Sequence, residues 1–373
     1  MLIDRFFEKG REFLGCRYPI MCGAMTWISG PDLASLMSNL GAFGVLAAGN
    51  MPPELFADYV DQTRAKTDRP FAGNVITIAP NYHDHLDILC EKKVGHIVFA
   101  GSLPRGSEVE KAKASGAKVL CFASTDSIAK RMVSYGADAL ILEGSEAGGH
   151  IGHVSTVVLL QEILFEFGDQ LPIFVAGGIA TGKMIAHLAL MGAAGAQMGT
   201  RFVMAEECNA HEKFKDVFIR ARSREAISTP QYSAKLPVVS VRALNNNAMD
   251  HFGELQLDLL TQLKDGSINR QDAQYKVEEY WVGSLRNAAV DGDVGRNDIT
   301  VTISGNGSVT APATVDARRL AKTACTSSFS VSVSKPLKAG SLLTISTASS
   351  QVVTPGVMPF QQGAVHGSPV SRL

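Results

Sequence analysis

The sequence predicts a (β/α)8 barrel carrying a smaller, mostly helical layer over the C-terminal ends of its strands. Three observations carry this prediction. Short apolar runs alternate with helical patterns between residues 19 and 200, glycine-rich loops follow several of those runs, and the periodicity changes after residue 210. The runs read as buried on both faces, as parallel strands lying between helices are. A doubly wound open sheet would place GxGxxG after the first strand, and Cys22-Gly-Ala-Met25 is not that motif.

In chain order, the predicted strands are 19–24, 44–48, 71–77, 96–101, 118–124, 139–144, 173–178 and 194–200. Helical patterns occupy 31–39, 53–66, 83–92, 106–115, 126–134, 156–167 and 182–191 between them. Pro31 and Pro53 stand where a helix accepts proline, in its first turn. Gly41, Gly95, Gly116, Gly136 and Gly192 stand where helices end. The unit 1–210 is therefore the expected barrel.

From 211 to 294 helices are expected at 212–221, 251–264 and 272–290, around an irregular stretch at 226–248 that holds Pro230, Pro237 and Asn245-Asn-Asn247. This second unit is expected to shape a substrate cavity and exclude water. The third, 295–373, is Ser/Thr-rich with period-two patches such as Ser328-Phe-Ser-Val-Ser, consistent with exposed hairpins or a disordered tail. No chemistry is assigned to it.

Composition narrows the function class. The chain has 373 residues, 46% hydrophobic and 19% charged, enough for a large core. A formal net charge of -1 gives no electrostatic reason for nucleic acid or an anionic membrane as partner. The six cysteines form no CxxC pair, and several sit in apolar runs, as in a reduced cytoplasmic protein. The N-terminus is too short and acidic for a signal peptide, and no apolar run spans a bilayer. No metal site is expected, and a homodimer is compatible with the sequence.

The chemistry is expected at the strand C-termini. Glu143-Gly-Ser-Glu-Ala-Gly-Gly-His-Ile-Gly152 follows the sixth strand. Gly148 and Gly149 let backbone approach a flat ligand, and His150 could exchange a proton with it. A tight turn with a histidine bonded to a carbonyl is the other reading. After the seventh and eighth strands, Gly177, Gly178, Gly199 and Thr200 bare amides and a hydroxyl, where barrels commonly hold phosphate; ordinary βα turns are the alternative. Ser124 ends the fifth strand as a further candidate cofactor contact. Arg201, Arg242 and Lys183 could steer an anion or serve as solvated charges and structural ion pairs.

Four segments together carry a family resemblance: Pro19-Ile-Met-Cys-Gly-Ala-Met25, the Glu143–Gly152 stretch, Ala176-Gly-Gly-Ile-Ala-Thr-Gly182 and Met198-Gly-Thr-Arg-Phe202. They resemble the FMN-dependent nitronate monooxygenases, formerly called 2-nitropropane dioxygenases. Gly149-His-Ile-Gly152, Cys208-Asn-Ala-His211 and Val241-Arg-Ala-Leu-Asn245 look closer to the FMN-dependent enoyl-acyl carrier protein reductases of the same superfamily. The resemblance covers about residues 10–294.

It implies FMN, with NADH or NADPH as reductant, and a small-molecule or acyl-thioester substrate, with an acyl carrier protein as a possible partner. His150 matches the catalytic histidine. Gly177, Gly178, Gly199 and Thr200 match the phosphate cradle; Gly23, Ala24 and Met25 match backbone beside the flavin ring; Asn74 matches an asparagine that contacts it. Gly149 and Gln197 fall within matching motifs. Cys22 replaces a frequent glutamine and reads either as a thiol beside flavin or as a core cysteine. After Val294 the family continues with a Gly/Ser/Met-rich loop over the flavin, and this chain departs from that pattern; the tail is expected to be foreign to the family fold.

The resemblance leaves two reactions open on one set of residues. One is reduction of an enoyl thioester with His150 as proton donor; the other is oxidation of an alkyl nitronate with oxygen. A phosphate-binding barrel without redox activity is a third reading. A long acyl chain would need an open apolar groove and a small nitronate a closed pocket.

Overall fold

A computed structural model of the chain describes residues 5–236 and 240–294; the predicted Ser/Thr-rich segment lies outside them. Parallel strands close into a barrel in the order β1 (Ile20–Cys22), β2 (Phe43–Ala47), β3 (Phe71–Ile76), β4 (His96–Ala100), β5 (Lys118–Ala123), β6 (Ala139–Glu143), β8 (Ile173–Ala176) and β9 (Gly195–Met198). β9 closes on β1 with Cys22 opposite Met198, while Cys22 faces Gly44 of β2 on its other side.

Around the barrel lie α2 (Pro31–Asn39), α3 (Pro53–Lys66), α4 (Tyr82–Glu91), α5 (Gly106–Ala114), α6 (Asp126–Ser134), α7 (Thr156–Phe167) and α8 (Gly182–Met191). Local chemistry sets their starts. Pro31 and Pro53 open α2 and α3, where a missing N–H costs nothing. The Thr125 hydroxyl accepts from Ile128 N at 3.2 Å before α6, and Thr181 accepts from Met184 N at 3.3 Å before α8. Their ends follow the predicted glycines with one exception: after α4 the left-handed residue is Lys93 (φ 51), not Gly95.

The strands bury both faces, and alternation divides them between two cores. Met21, Val45, Val98, Leu120, Ile141 and Phe174 fill the barrel interior, whereas Cys22, Leu46, Ile97, Val119, Leu142 and Val175 pack outward against helices. An N-terminal helix, α1 (Glu8–Leu14), closes the end where the strands begin. Its fully buried Leu14 joins the interior core, and the Phe13 carbonyl meets His96 Nε2 at 3.0 Å. Burial pushes His96 down to about pKa 4, so this histidine is a neutral core residue. With that end plugged, the opposite end is left for a ligand.

Beyond the barrel come α9 (Thr200–Val203), α10 (Glu212–Arg220), α11 (Asn247–Asp265) and α12 (Arg270–Ala289). Asn246 caps α11 at Ala248 N, and Asn269 caps α12 at Asp272 N, so both helices begin earlier than the sequence pattern suggests. Phe252 of α11 and Trp281 of α12 pack as tilted rings with centroids 4.5 Å apart, within a separate apolar core that includes Val241 and Val277.

The stretch 226–248, expected to be irregular, instead contains β10 (Ala226–Ser228) and β11 (Val241–Leu244). These pair with each other and with β7 (Gly149–His150) in a small antiparallel sheet of order β10-β11-β7. Strands of two to four residues are too short to display a period-two pattern. No helix of the described residues is long and apolar enough to cross a membrane.

Candidate active site

Chemistry-bearing side chains converge on a cavity at the C-terminal ends of the strands. Ala24 and Met25 after β1, Asn74 in β3, Gln197 in β9 and Gly149 with His150 in β7 all line it. These are six of the residues anticipated from sequence. Glu143 at the end of β6 and Glu278, Trp281 and Leu285 of α12 also line the cavity. The volume is ≈ 200 Å³. That is below the ~300–1,000 Å³ usual for a drug-sized ligand.

The first loop is braced by Ser29. Its hydroxyl donates to Gly23 O at 2.8 Å and accepts from Met25 N at 3.1 Å, so backbone at 23–25 is presented in a fixed shape. Gly23 N also donates to Met198 O at 2.9 Å, and a Cβ at Gly23 would stand 3.1 Å from the Gln197 side chain. Gly23 therefore supports the wall from behind. Cys22 is fully buried, and burial with the nearby Cys208 thiol raises its pKa. It is a core cysteine, which answers the question its position raised.

Asn74 is buried, and its Nδ2 donates to Val98 O at 3.2 Å. Asn74 lines the cavity with its side chain held by that bond.

His150 is held at both backbone and ring. Its backbone pairs with Val241, and Ile151 N donates to Ser240 O at 2.9 Å. Its Nε2 lies 3.5 Å from Glu278 Oε2. Burial alone would lower the imidazole's pKa, but the Glu278 hydrogen bond and charge, with the charge of Glu143, raise it on balance. Glu143 is itself pushed up to about 7 by burial, with His150 pulling the other way. One imidazole thus sits among two carboxylates, a setting that favours its protonated form.

The predicted phosphate residues do not line this cavity; they form the loops beside it. Gly177 (φ 97) and Gly178 (φ 69) are consecutive left-handed residues. A Cβ at Gly177 would stand 2.7 Å from the backbone of Ala147, so only glycine lets the loop after β8 press against the His150 loop. Gly199 precedes α9, whose first residue is Thr200, and lies beside Met25. Ser124 is not part of the cavity lining and lies against Gly152.

The charged candidates separate. Arg242 donates from Nη2 to Ser145 O at 2.7 Å and from Nη1 to Ala226 O at 2.6 Å, so it clamps the His150 loop and is no anion-steering residue. Lys183 is exposed on α8. Arg201, next to Thr200, keeps a buried Nε with no partner among the described residues.

Glu278 and Trp281 escaped sequence reasoning. Their signal is a stripe on α12: Glu278, Trp281 and Leu285 recur at i, i+3 and i+7, so one helix face meets the cavity.

A parallel barrel with a plugged N-terminal end and a histidine-bearing cavity at the other end has the build of a ligand-transforming enzyme. Comparison with known proteins makes this specific: the chain belongs to the nitronate monooxygenase family, whose model matches residues 8–87 and 75–322. This is a family of flavin-dependent oxidoreductases, and the protein is an oxidoreductase. The matched stretch runs past residue 294, where the motif resemblance ends.

Among curated relatives, (3aS,4S,5R,7aS)-5-hydroxy-7a-methyl-1-oxo-octahydro-1H-indene-4-carboxyl-CoA dehydrogenase of Rhodococcus jostii (strain RHA1) is 31% identical over 248 residues, covering 66% of this chain and 68% of the relative. A probable nitronate monooxygenase of Staphylococcus aureus (strain MRSA252) is 25% identical over 339 residues, covering 79% of this chain and 90% of the relative. Among solved structures, FabK from Thermotoga maritima superposes with a TM-score of 0.72 at 31% identity, covering 84% of this chain and 94% of that one. With membership of a redox family, the phosphate-binding reading without redox activity loses its support.

Proposed function

We propose that the protein is an FMN-dependent reductase of enoyl thioesters, drawing electrons from NADH or NADPH. The observation that carries this reading is His150, set on the cavity wall among carboxylates that favour its imidazolium form. An imidazolium at rest is a proton donor, which reduction of a conjugated thioester requires at Cα. The names of two relatives support a thioester substrate: one is a CoA dehydrogenase, and FabK is an enoyl-acyl carrier protein reductase.

The residues present fit FMN. The cavity accepts a flat ring against the backbone at 24–25 and 148–149, and Asn74 offers fixed polar groups there. The left-handed Gly177-Gly178 pair and the Gly199-Thr200 turn lie beside it, where a phosphate tail would meet glycine-rich backbone. The buried, unpartnered Arg201 Nε, next to Thr200, is a donor left for such a group.

The bound flavin would relay hydride from the nicotinamide nucleotide to Cβ of the substrate. The protein's own residues do the rest. With Nε2 turned to Glu278, the proton on His150 Nδ1 is the one free to move, since no hydrogen bond engages Nδ1 among the described residues. It passes to Cα, the carbon–carbon double bond becomes single, and a saturated thioester leaves. Ile28, Ile76, Trp281 and Leu285 give the wall an apolar character suited to an acyl chain and to excluding water. The acyl group would arrive on coenzyme A or on an acyl carrier protein.

Oxidation of alkyl nitronates is the second reading, favoured by the names of the Staphylococcus aureus relatives. It would ask His150 to act as a base or to hold nitronate oxygens, and an imidazolium is poorly set as a base. Purified protein under anaerobic conditions separates the two. Flavin bands bleached by NADH or NADPH and restored by crotonyl-CoA support the reductase; bands bleached only by a nitronate support the oxidase.

A further inference from the structure

We propose that Glu278 is a positioning residue that orients His150 and holds it as an imidazolium for proton delivery. The helix over the cavity is then a working part of the site and not a cover alone. The proposal rests on the enoyl-thioester reading for its role in turnover, and on geometry for the pairing itself.

The geometry has three parts. Glu278 is only 7% exposed, and its Oε2 is 3.5 Å from His150 Nε2. Among the described residues that carboxylate has no other ion pair or hydrogen bond. A buried carboxylate facing a single ionisable group is costly unless that group carries the opposite charge, so the pair favours a charged His150. Third, the backbone on both sides is fixed. β7 is paired to β11 by the Val241–His150 register, and α12 is locked by Val277 and Trp281 in the apolar core around Phe252. What the backbone does not fix is rotation of the imidazole about its own bonds, and Glu278 supplies that restraint.

Other elements around His150 offer no substitute. From β6 comes Glu143, which burial pushes up to about 7, so it takes up a proton near neutrality. From β11 comes apolar Val241, and the neighbouring Arg242 spends its guanidinium on the carbonyls of Ser145 and Ala226. Glu278 is the carboxylate in contact with the ring.

In turnover the electron balance is that of the proposed reaction. A bound flavin would supply hydride equivalents from the nicotinamide nucleotide for Cβ; His150 gives its proton to the π pair at Cα, and the neutral ring takes up a proton from solvent. Glu278 neither gives nor takes an atom; it acts through the ring.

The test is a pH titration of histidine 15N signals in the full-length holoprotein, with His150 assigned by its disappearance in His150→Asn. Glu278→Gln, isosteric and uncharged, should lower the His150 midpoint by about 1 pH unit or more, the scale of losing an adjacent opposite charge. Glu278→Asp should recover part of that shift. The high-pH limb of kcat for crotonyl-CoA reduction should move down by the same amount in Glu278→Gln, whereas a purely structural residue would lower kcat evenly across pH. An unchanged His150 midpoint in folded Glu278→Gln would overturn the proposal, and so would an unchanged midpoint in Glu278→Met, which also removes the charge, should the first variant not fold. The titration decides the pairing even if the wild type fails to reduce crotonyl-CoA; that failure would overturn the functional reading alone.

Discussion

The backbone of His150 pairs with that of Val241 in an antiparallel register, so a barrel loop is anchored by a strand from far along the chain. Arg242, one residue on, ties the same loop through Ser145 O and reaches β10 through Ala226 O. The histidine is therefore placed by two units of the chain acting together.

That arrangement predicts the behaviour of Arg242→Met. Losing charge-assisted bonds to two carbonyls, while keeping most of the apolar stem, should cost about 1–3 kcal/mol. Hydrogen exchange over residues 145–152 should accelerate, most clearly at the Ile151 amide that bonds Ser240. Exchange unchanged from wild type would show that the guanidinium is no clamp.

Replacing His150 with Asn should separate the two half-reactions. Bleaching of the flavin by a nicotinamide nucleotide should stay near the wild-type rate, because no proton is needed from the ring at that stage. Reoxidation by crotonyl-CoA should slow by ~10²–10⁴, the usual share of a positioned acid. Stopped-flow absorbance reads both, and equal slowing of the two would place His150 elsewhere in the reaction.

Gly177→Ala should affect the cofactor as well as the fold. The residue has φ 97, and its new Cβ would meet Ala147 backbone at 2.7 Å. The strain alone is about 1–3 kcal/mol, and relieving it must displace the loop on which His150 stands. Gly192→Ala is the matched control: φ is 107 and nothing lies within 4 Å. Both variants should melt earlier, but only Gly177→Ala should lose flavin on purification, as the 450 nm region of its spectrum would reveal.

Stability should fall with rising pH through neutrality. The carboxyl of Glu143 is raised from 4.5 to about 7 by burial, with His150 opposing. A group raised on folding contributes stability that is complete below its unfolded value and lost as pH climbs through its folded value. His150, raised overall with burial opposing and Glu278 and Glu143 prevailing, acts in the same direction above its unfolded value. Melting temperature should therefore drop between about pH 5 and pH 8, and Glu143→Gln should flatten that slope. Parallel slopes for the two proteins would remove Glu143 from the explanation.

Much of the barrel is legible in the chain because its strands are short apolar runs bounded by glycine, proline and capping threonine. α2, α3, α6, α7 and α8 lie where periodicity puts them, from Pro31–Asn39 to Gly182–Met191. His150 stands out because a lone histidine beside Gly148 and Gly149 is unusual chemistry after a buried strand. The β10-β11-β7 sheet is not legible, because strands of two to four residues bury too little to impose a pattern. Glu278 is hidden for another reason: on a helix with many charged residues, nothing local tells a buried carboxylate from a solvated one. Only the packing of Trp281 on Phe252 turns that face inward.

The most direct measurement is the anaerobic absorbance spectrum of the purified protein, followed through NADH or NADPH and then crotonyl-CoA. The account predicts flavin bands that bleach with a nicotinamide nucleotide and return with the enoyl thioester, with butyryl-CoA as product. Bands that ignore both nucleotides and bleach only with an alkyl nitronate would contradict it.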